Sequence, residues 1–421
     1  MSKESSTSDP AGSSFVEGGQ ARIEWADSQM PVLAQVRERF ARERPLEGVS
    51  VAACLHVTAE TANLVRALLA GGAQVGLCAA NPLSTQDDVA VALTERHGAT
   101  VLGARGESAE RYAEHVQALV ASAPRVTIDD GADLIGAIHE SAPSHAATML
   151  GGTEETTAGL LRVRALSEQG LLACPVLAVN ESRTERAFND RFGTGQSTID
   201  GILRATNILL AGRTVVVLGY GWTGRGVALR ARGAGASVIV CEVDPLRALE
   251  ARMEGYEVMG SLAAAERGDV FVTVTGGRDV LRGEHFERMK DGAVLANAGH
   301  FDVEIKLEDL RALAVAGRRE VLPLVEEYTL SGGRRLNLLA QGRVVNLAAG
   351  EGHPAAVMDM SFAGQALCVE YLAASTGELE PGVLPVPDRI DDEVARLKLE
   401  SLGVRIDELS EDQRVYRSAW E

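Results

Sequence analysis

The chain has 421 residues, with 59 acidic against 41 basic side chains and a net charge of −18. That balance argues against nucleic-acid binding, which draws on basic surface, and the length allows two or three domains whose cores need no disulfide staple. The cysteines Cys54, Cys78, Cys174, Cys241 and Cys368 are scattered through apolar runs with no C-x-x-C spacing, so neither a disulfide framework nor a metal site is expected, and a reducing cytoplasm is the natural compartment.

Residues 1–20 are rich in Ser and Gly, lack a signal-peptide core and are expected to form a disordered tail. A helix is expected over 24–43, with Pro31 early in it and Pro45 after it. Strands at 49–55, 74–79, 100–102, 125–128, 147–150 and 175–179 then alternate with helices at 59–70, 86–97, 108–122, 134–140 and 154–169. Such alternation implies an open parallel sheet covered by helices. Residues 182–210 read as mostly helical and lead into a second α/β unit with strands at 215–218, 237–241, 269–273, 292–296 and 320–324. A strand or turn at 325–329 and a hairpin-like stretch over 328–345 close that unit. Helices follow at 354–374, 390–402 and 409–420. No apolar run approaches the ~18 residues of a membrane span. The expected fold is α/β: two doubly wound parallel-sheet domains with a short C-terminal helical extension. The substrate-binding domain is placed at 21–181 and 350–385, a Rossmann domain at 190–347 and the helical segment at 386–421.

The second unit carries the most specific motif. Val215-Val-Val-Leu218 is followed by Gly219, Gly221 and Gly224 in the order G-x-G-x-x-G, then by an amphipathic run at 227–234 and a second strand ending at Glu242. The first glycine permits the turn, the second admits a pyrophosphate and the third lets helix and strand pack closely. The helix N-terminus offers free N–H groups to the phosphates. Glu242 stands where an acid holds the ribose hydroxyls of NAD, and its charge would repel the 2′-phosphate of NADP.

Polar clusters sit where strands end, which is where open α/β sheets bind ligands. They are Leu55-His-Val-Thr-Ala-Glu60, Asp129-Asp-Gly-Ala-Asp133, Thr153-Glu-Glu-Thr-Thr157, Asn180-Glu-Ser182 and Asn297-Ala-Gly-His-Phe-Asp302. Each alone reads as a helix cap or a turn. Together, beside an NAD motif, they favour a catalytic cleft between two domains.

From Ile23 to Trp420 the chain resembles the S-adenosylhomocysteine hydrolase (adenosylhomocysteinase) family. The resemblance is carried by Leu55-His-Val-Thr-Ala-Glu-Thr61, Ser84-Thr-Gln-Asp87, Asp129-Asp-Gly-Ala-Asp-Leu134, Glu154-Glu-Thr-Thr157, Asn180-Glu-Ser182, Met253-Glu-Gly-Tyr-Glu-Val258, Gly299-His-Phe-Asp-Val-Glu-Ile305, Gly342-Arg-Val-Val-Asn-Leu347 and Gly352-His-Pro354. It implies that tightly bound NAD oxidises the 3′-hydroxyl of an adenine nucleoside, that a base takes the acidified 4′ proton, that the 5′ substituent is eliminated, and that the ketone is reduced again after water adds. His56, Asp130 and His300 would move these protons, as imidazole and carboxylate can near neutral pH. Glu155 and Asn180 would hold the sugar. Leu55, Thr58, Glu60, His353, Met358 and Phe362 would form the adenine pocket, although Met358 and Phe362 also read as plain core and His353 as a helix cap. Thr156, Thr157, Gly219, Gly221, Trp222, Thr223, Gly224, Glu242, Asn297 and Asn346 would contact NAD. The resemblance further implies a homo-oligomer, a tetramer or dimer.

The departures bear on the reaction. The family supplies a lysine and then an Asp-Asn pair to activate the 3′-hydroxyl. Here those positions are Glu185 and Asn189-Asp190, and the family's nearby cysteine is Thr194. Trp222 stands where many members have an acidic residue, and the Lys/Tyr tail of many members is missing. A glutamate for a lysine inverts a charge at the reacting sugar. The favoured expectation is therefore a divergent member that loses water from a hydroxymethyl group and stops at the exocyclic alkene. The nucleoside dehydratase of angustmycin formation is a relative of this kind. A standard adenosylhomocysteinase with a rewired base is the runner-up. An inactive NAD-binding regulator is the third reading, and the joint presence of His56, Asp130, Glu155 and His300 argues against it.

Overall fold

Two open sheets, each built around a 3-2-1-4-5-6 strand order, divide the chain in this computed structural model, which describes residues 10–81, 84–299 and 302–419. The first sheet holds β1 (Ser50–Leu55), β2 (Gln74–Ala79), β3 (Thr100–Leu102), β4 (Val126–Asp129), β5 (Gly151–Glu154) and β6 (Pro175–Ala178). They lie in the order β3-β2-β1-β4-β5-β6, all parallel. The second holds β7 (Thr214–Leu218), β8 (Ser237–Cys241), β9 (Glu257–Val258), β10 (Val270–Thr273) and β11 (Ala293–Asn297), extended by β12 (Ala314–Leu322), β13 (Val325–Leu330) and β14 (Arg335–Leu339). Its order is β9-β8-β7-β10-β11-β14-β13-β12, and β13 alone runs against the others, antiparallel to both its neighbours. Central strands are buried along nearly their whole length, as strands covered by helices on both faces must be.

The long helix Ala355–Ala374 returns to the first domain, and β15 (Gly382–Pro385) extends that sheet beside β6. The helix Asp388–Ser401 packs there too, with Ile390 and Val394 in the first-domain core. Asp359, fully buried in the long helix, accepts from Val32 N and Leu33 N at 2.9 and 2.8 Å and from Lys398 Nζ at 2.8 Å, tying three helices together.

Several expectations need correction. Residues 10–20 are not a tail: they begin a helix, Pro10–Asp27, whose Ile23 is wholly buried, and residues 1–9 lie outside the described ones. The helix expected at 24–43 is two, broken at Met30, with Pro31 opening the second as a first-turn proline can. The strand expected at 147–150 lies instead at Gly151–Glu154. The packing demands the glycines that open it. A Cβ on Gly151 would come within 2.5 Å of Pro175 O, and one on Gly152 within 2.5 Å of Thr127 Oγ1. β15 carried no signal that was read as a strand.

The domains meet at a ten-residue π-helix, Glu185–Thr194, that continues into the helix Gly195–Thr206. Asp391 anchors its start, accepting from Arg183 N at 2.8 Å and Thr184 N at 3.1 Å. The π-helix lies so close to the helix Trp222–Gly233 that a Cβ on Gly226 would strike the Arg191 carbonyl oxygen. Backbone cannot swing aside as a side chain can, so Gly226→Ala is expected to cost at least about 1–3 kcal/mol. A lower urea midpoint at unchanged slope would show it, and an unmoved midpoint would refute it.

Candidate active site at the domain junction

β1 and β4 are the adjacent strands from which the first sheet's connections diverge, so a crevice opens at their carboxyl ends. His56 follows β1 and Asp130 follows β4. His56 Nε2 stands 3.3 Å from Asp130 Oδ2, and its Nδ1 is 2.6 Å from Ser84 Oγ. Ser84 Oγ already donates to Asn81 O at 2.9 Å, so towards His56 it accepts and Nδ1 carries the hydrogen. Nε2 thus faces the Asp130 carboxylate, an imidazole and a carboxylate set against each other across 3.3 Å. Such a pair can both take and deliver a proton. A cleft of about 520 Å³, ample for a nucleoside, opens beside it between Thr58 and Ser84 of the first domain and Arg204 and Leu347 of the second, with Glu351 where the chain returns to the first.

A cluster of carboxyls lies deeper. Glu155 accepts from Ser361 Oγ at 3.0 Å and Gln365 Nε2 at 3.5 Å, two residues one turn apart on the long helix. Burial and then the charge of Asp130 push Glu155 up to about 7. Burial pushes Asp190 up to about 6, against the pull of Arg186. Glu185, 2% exposed, is raised well above the ordinary carboxyl range by burial and then by Glu155 and Asp190. Its Oε1 accepts from Asn189 Nδ2, while Glu185 Oε2 and Asn189 Oδ1 are buried without a hydrogen-bond partner. Asn180, buried, accepts from Thr157 Oγ1 at 2.9 Å.

The sign of the Glu155 shift makes a prediction. A carboxyl raised in the folded state contributes stability below its ordinary value of 4.5 that is lost as pH rises through about 7. Glu155→Gln cannot ionise, so its stability relative to the wild type is expected to grow as pH rises from about 5 to 8. Melting temperatures across that range check it; a constant difference would contradict the shift.

His353 contacts the π-helix, its Nε2 2.8 Å from Thr194 Oγ1, and burial followed by the charge of His56 pushes it down to about 4. The structure thus brings His353 towards His56 and Asp130. Thr58 caps the helix Ala59–Ala70, and burial raises the Glu60 carboxyl in its first turn. Leu55 and Phe362 belong to the first-domain core, and Met358 packs half-buried against it. Thr156 Oγ1 caps the helix Thr157–Glu168 and donates to Glu154. His300 lies outside the described residues.

The residues of the second switch point, between β7 and β10, fit NAD. Gly219 has φ of +107°, and a Cβ there would lie 2.7 Å from Val274 O. A Cβ on Gly224 would strike the Gly219 carbonyl, whereas one on Gly221 would meet nothing nearer than Arg247 Nη1 at 3.8 Å. The second glycine therefore opens onto free space at the start of the helix Trp222–Gly233, whose first turn holds Trp222 and Thr223, where a pyrophosphate belongs. Glu242 accepts from Tyr220 N at 2.6 Å and from Val243 N at 2.7 Å, which places its carboxylate at the loop. Asn297 binds Thr273 Oγ1, Gly299 and Gly342 O, joining three loops at the sheet's end. Asn346, 5% exposed, keeps a buried Oδ1 without a partner, a vacancy that a donor such as a carboxamide could fill. Glu242→Ala is expected to lose NAD during purification while the circular dichroism stays unchanged; full retention, measured on denatured protein, would refute its role.

Sequence reasoning missed Ser361 and Gln365, which sit in an apolar helix with nothing local to mark them. Ser84 was within a quoted motif but had no role assigned.

Comparison with known proteins agrees with this geometry. Residues 190–352 match the family model "S-adenosyl-L-homocysteine hydrolase, NAD binding domain", and residues 11–150 match "S-adenosyl-L-homocysteine hydrolase". The chain is 59% identical over 408 residues, 97% of each chain, to an adenosylhomocysteinase of Aquifex aeolicus. It is 53% identical to one of Gloeobacter violaceus, covering 96% of this chain and 94% of that one. It is also 53% identical to an S-inosyl-L-homocysteine hydrolase of Methanopyrus kandleri, covering 97% and 96%. With both NAD switch point and substrate-side crevice in place, and this identity along nearly its whole length, the protein belongs to the S-adenosyl-L-homocysteine hydrolase family and is an NAD-dependent enzyme.

Proposed function

We propose that the enzyme oxidises an adenine nucleoside at the 3′-hydroxyl, eliminates the 5′ substituent and restores the hydroxyl, with loss of water from a hydroxymethyl group as the favoured elimination. NAD, when bound, would supply the hydride acceptor for the oxidation and return the hydride at the end, while the 3′-hydroxyl proton passes to the Asp190 carboxylate, which burial raises only to about 6, and comes back from it on reduction. The observation that carries the reading is Glu185, a buried carboxyl beside Glu155 and Asp190. An ionised carboxylate there would repel a developing alkoxide. Held protonated by burial, it instead donates a hydrogen bond, and its unpartnered oxygen accepts one from a sugar hydroxyl. The His56–Asp130 pair takes the 4′ proton and protonates the departing oxygen, which hydroxide needs in order to leave as water. Asn180 and Glu155 hold the sugar.

Hydrolysis of S-adenosylhomocysteine is the second reading, favoured by the name of the Aquifex relative. The Methanopyrus relative is named for the inosyl compound, so identity near 53% does not settle the base. Glu60, which the family resemblance implies for the adenine pocket, would accept from an exocyclic amine and so favours adenine. Incubating the purified holoenzyme with S-adenosylhomocysteine, and separately with hydroxymethyl adenine nucleosides, and reading products by mass tests both. A nucleoside lighter by one water supports the proposal; adenosine and homocysteine alone would replace it with the second reading.

A further inference from the structure

Glu154 is the last residue of β5 and has no solvent exposure. It pairs in parallel register with Asp129, the residue before Asp130, and precedes Glu155 in the chain. One of its oxygens does unusual service. Oε1 accepts from Gly131 N at 3.0 Å, Thr156 N at 2.8 Å and Thr156 Oγ1 at 2.8 Å. Gly131 follows Asp130 and Thr156 follows Glu155, so a single atom joins the turns that carry Asp130 and Glu155. The first turn needs that restraint, because Gly131 sits at φ of +111° with no side chain to fix it. Its carbonyl is held from the other side by Arg162 Nη1, and the backbone is anchored by Asp130 N to Cys54 O at 3.0 Å. The neighbouring helix makes room for the carboxyl, since a Cβ on Gly159 would run into it.

We propose that Glu154 is a positioning residue, whose Oε1 locks the Asp130 turn to the Glu155 turn and thereby sets the contact between Asp130 and His56. The catalytic meaning rests on the role assigned above to Asp130. Burial, and then the charge of Asp129, hold the Glu154 carboxyl well above the ordinary range. Its acceptor oxygen rather than a negative charge therefore does the holding, and glutamine, with the same shape and the same acceptor, should replace it.

The test compares Glu154→Gln with Glu154→Leu in the holoenzyme. Glu154→Gln is expected to keep kcat within about threefold. Glu154→Leu is expected to lower kcat by about 10²-fold, the usual consequence of a misplacement near 1 Å, with KM and retained NAD little changed. A crystal structure of Glu154→Leu should show the Asp130–His56 separation grown beyond hydrogen-bond reach, and that of Glu154→Gln should keep it. Should the leucine variant not fold, Glu154→Asp, which withdraws the oxygen by one methylene, is expected to show the same loss of kcat. Wild-type kcat in the folded leucine or aspartate variant, or a glutamine variant as slow as the leucine one, overturns the proposal. If the wild type turns over none of the nucleosides tried, the proposed function fails, yet the two crystal distances still decide the role of Glu154.

Discussion

Alanine at His56 and asparagine at Asp130 are each expected to slow product formation by about 10²–10⁴-fold, the range for a lost general acid or base. The two changes break one unit. His56 Nδ1 is committed to Ser84, so its Nε2 has a single working partner, Asp130, at 3.3 Å. Without the carboxylate, the imidazole keeps its place but loses the group that faces its Nε2. Without the imidazole, the carboxyl keeps its anchored turn but has nothing to pass the proton to. The double variant should therefore be little worse than either single one, because residues acting as a unit are not additive. Reduction of bound cofactor by substrate, followed by absorbance, should survive better than product formation, since oxidation precedes proton abstraction. Additive losses in the double variant, or full turnover in either single one, would remove the pair from the mechanism.

The second large effect is a change of substrate. Glu185→Lys with Asn189→Asp is expected to raise hydrolysis of S-adenosylhomocysteine by about 10²-fold over the natural protein, in line with the worth of one group stabilising a developing oxyanion. The natural protein should hydrolyse that compound poorly. The physical ground is the buried carboxyl cluster: Glu155, Glu185 and Asp190 all have raised pKa values, and no lysine is among the causes acting on any of them. An ammonium introduced there would be paired on arrival by Glu155 and Asp190, which lowers the cost of burying it. It would also place a positive charge, rather than a neutral hydrogen-bond donor, beside the developing alkoxide. Glu185→Gln, which keeps an acceptor but cannot ionise or donate as an acid, should impair the natural reaction. Efficient S-adenosylhomocysteine hydrolysis by the unmodified chain would overturn the divergent reading outright.

Much of this was legible in the residues themselves. The G-x-G-x-x-G run, its flanking strands and Glu242 specified an NAD-binding βαβ unit, because each glycine answers a local steric demand that any reader of the sequence can state. His56, Asp130, Glu155 and Asn180 were visible as polar residues at strand ends, where periodicity stops and ligands bind. What lay beyond reach was set by contacts between distant segments. The strand expected at 147–150 lies at Gly151–Glu154, where what calls for glycine is the carbonyl of Pro175 and the hydroxyl of Thr127, neither of them near in sequence. Residues 10–20, the first part of the helix Pro10–Asp27, read as a tail because the core that receives Val16 is built from later residues. Ser361 and Gln365 were silent, since nothing in an apolar helix announces that one of its faces meets Glu155. The sequence by itself determined the two α/β domains, the cofactor and the family, which depend on local geometry and motif. Tertiary structure alone decided that Glu185 is a buried, partly unpartnered acid, and that one oxygen of Glu154 joins the Asp130 and Glu155 turns, because burial and hydrogen bonding are properties of the assembled fold.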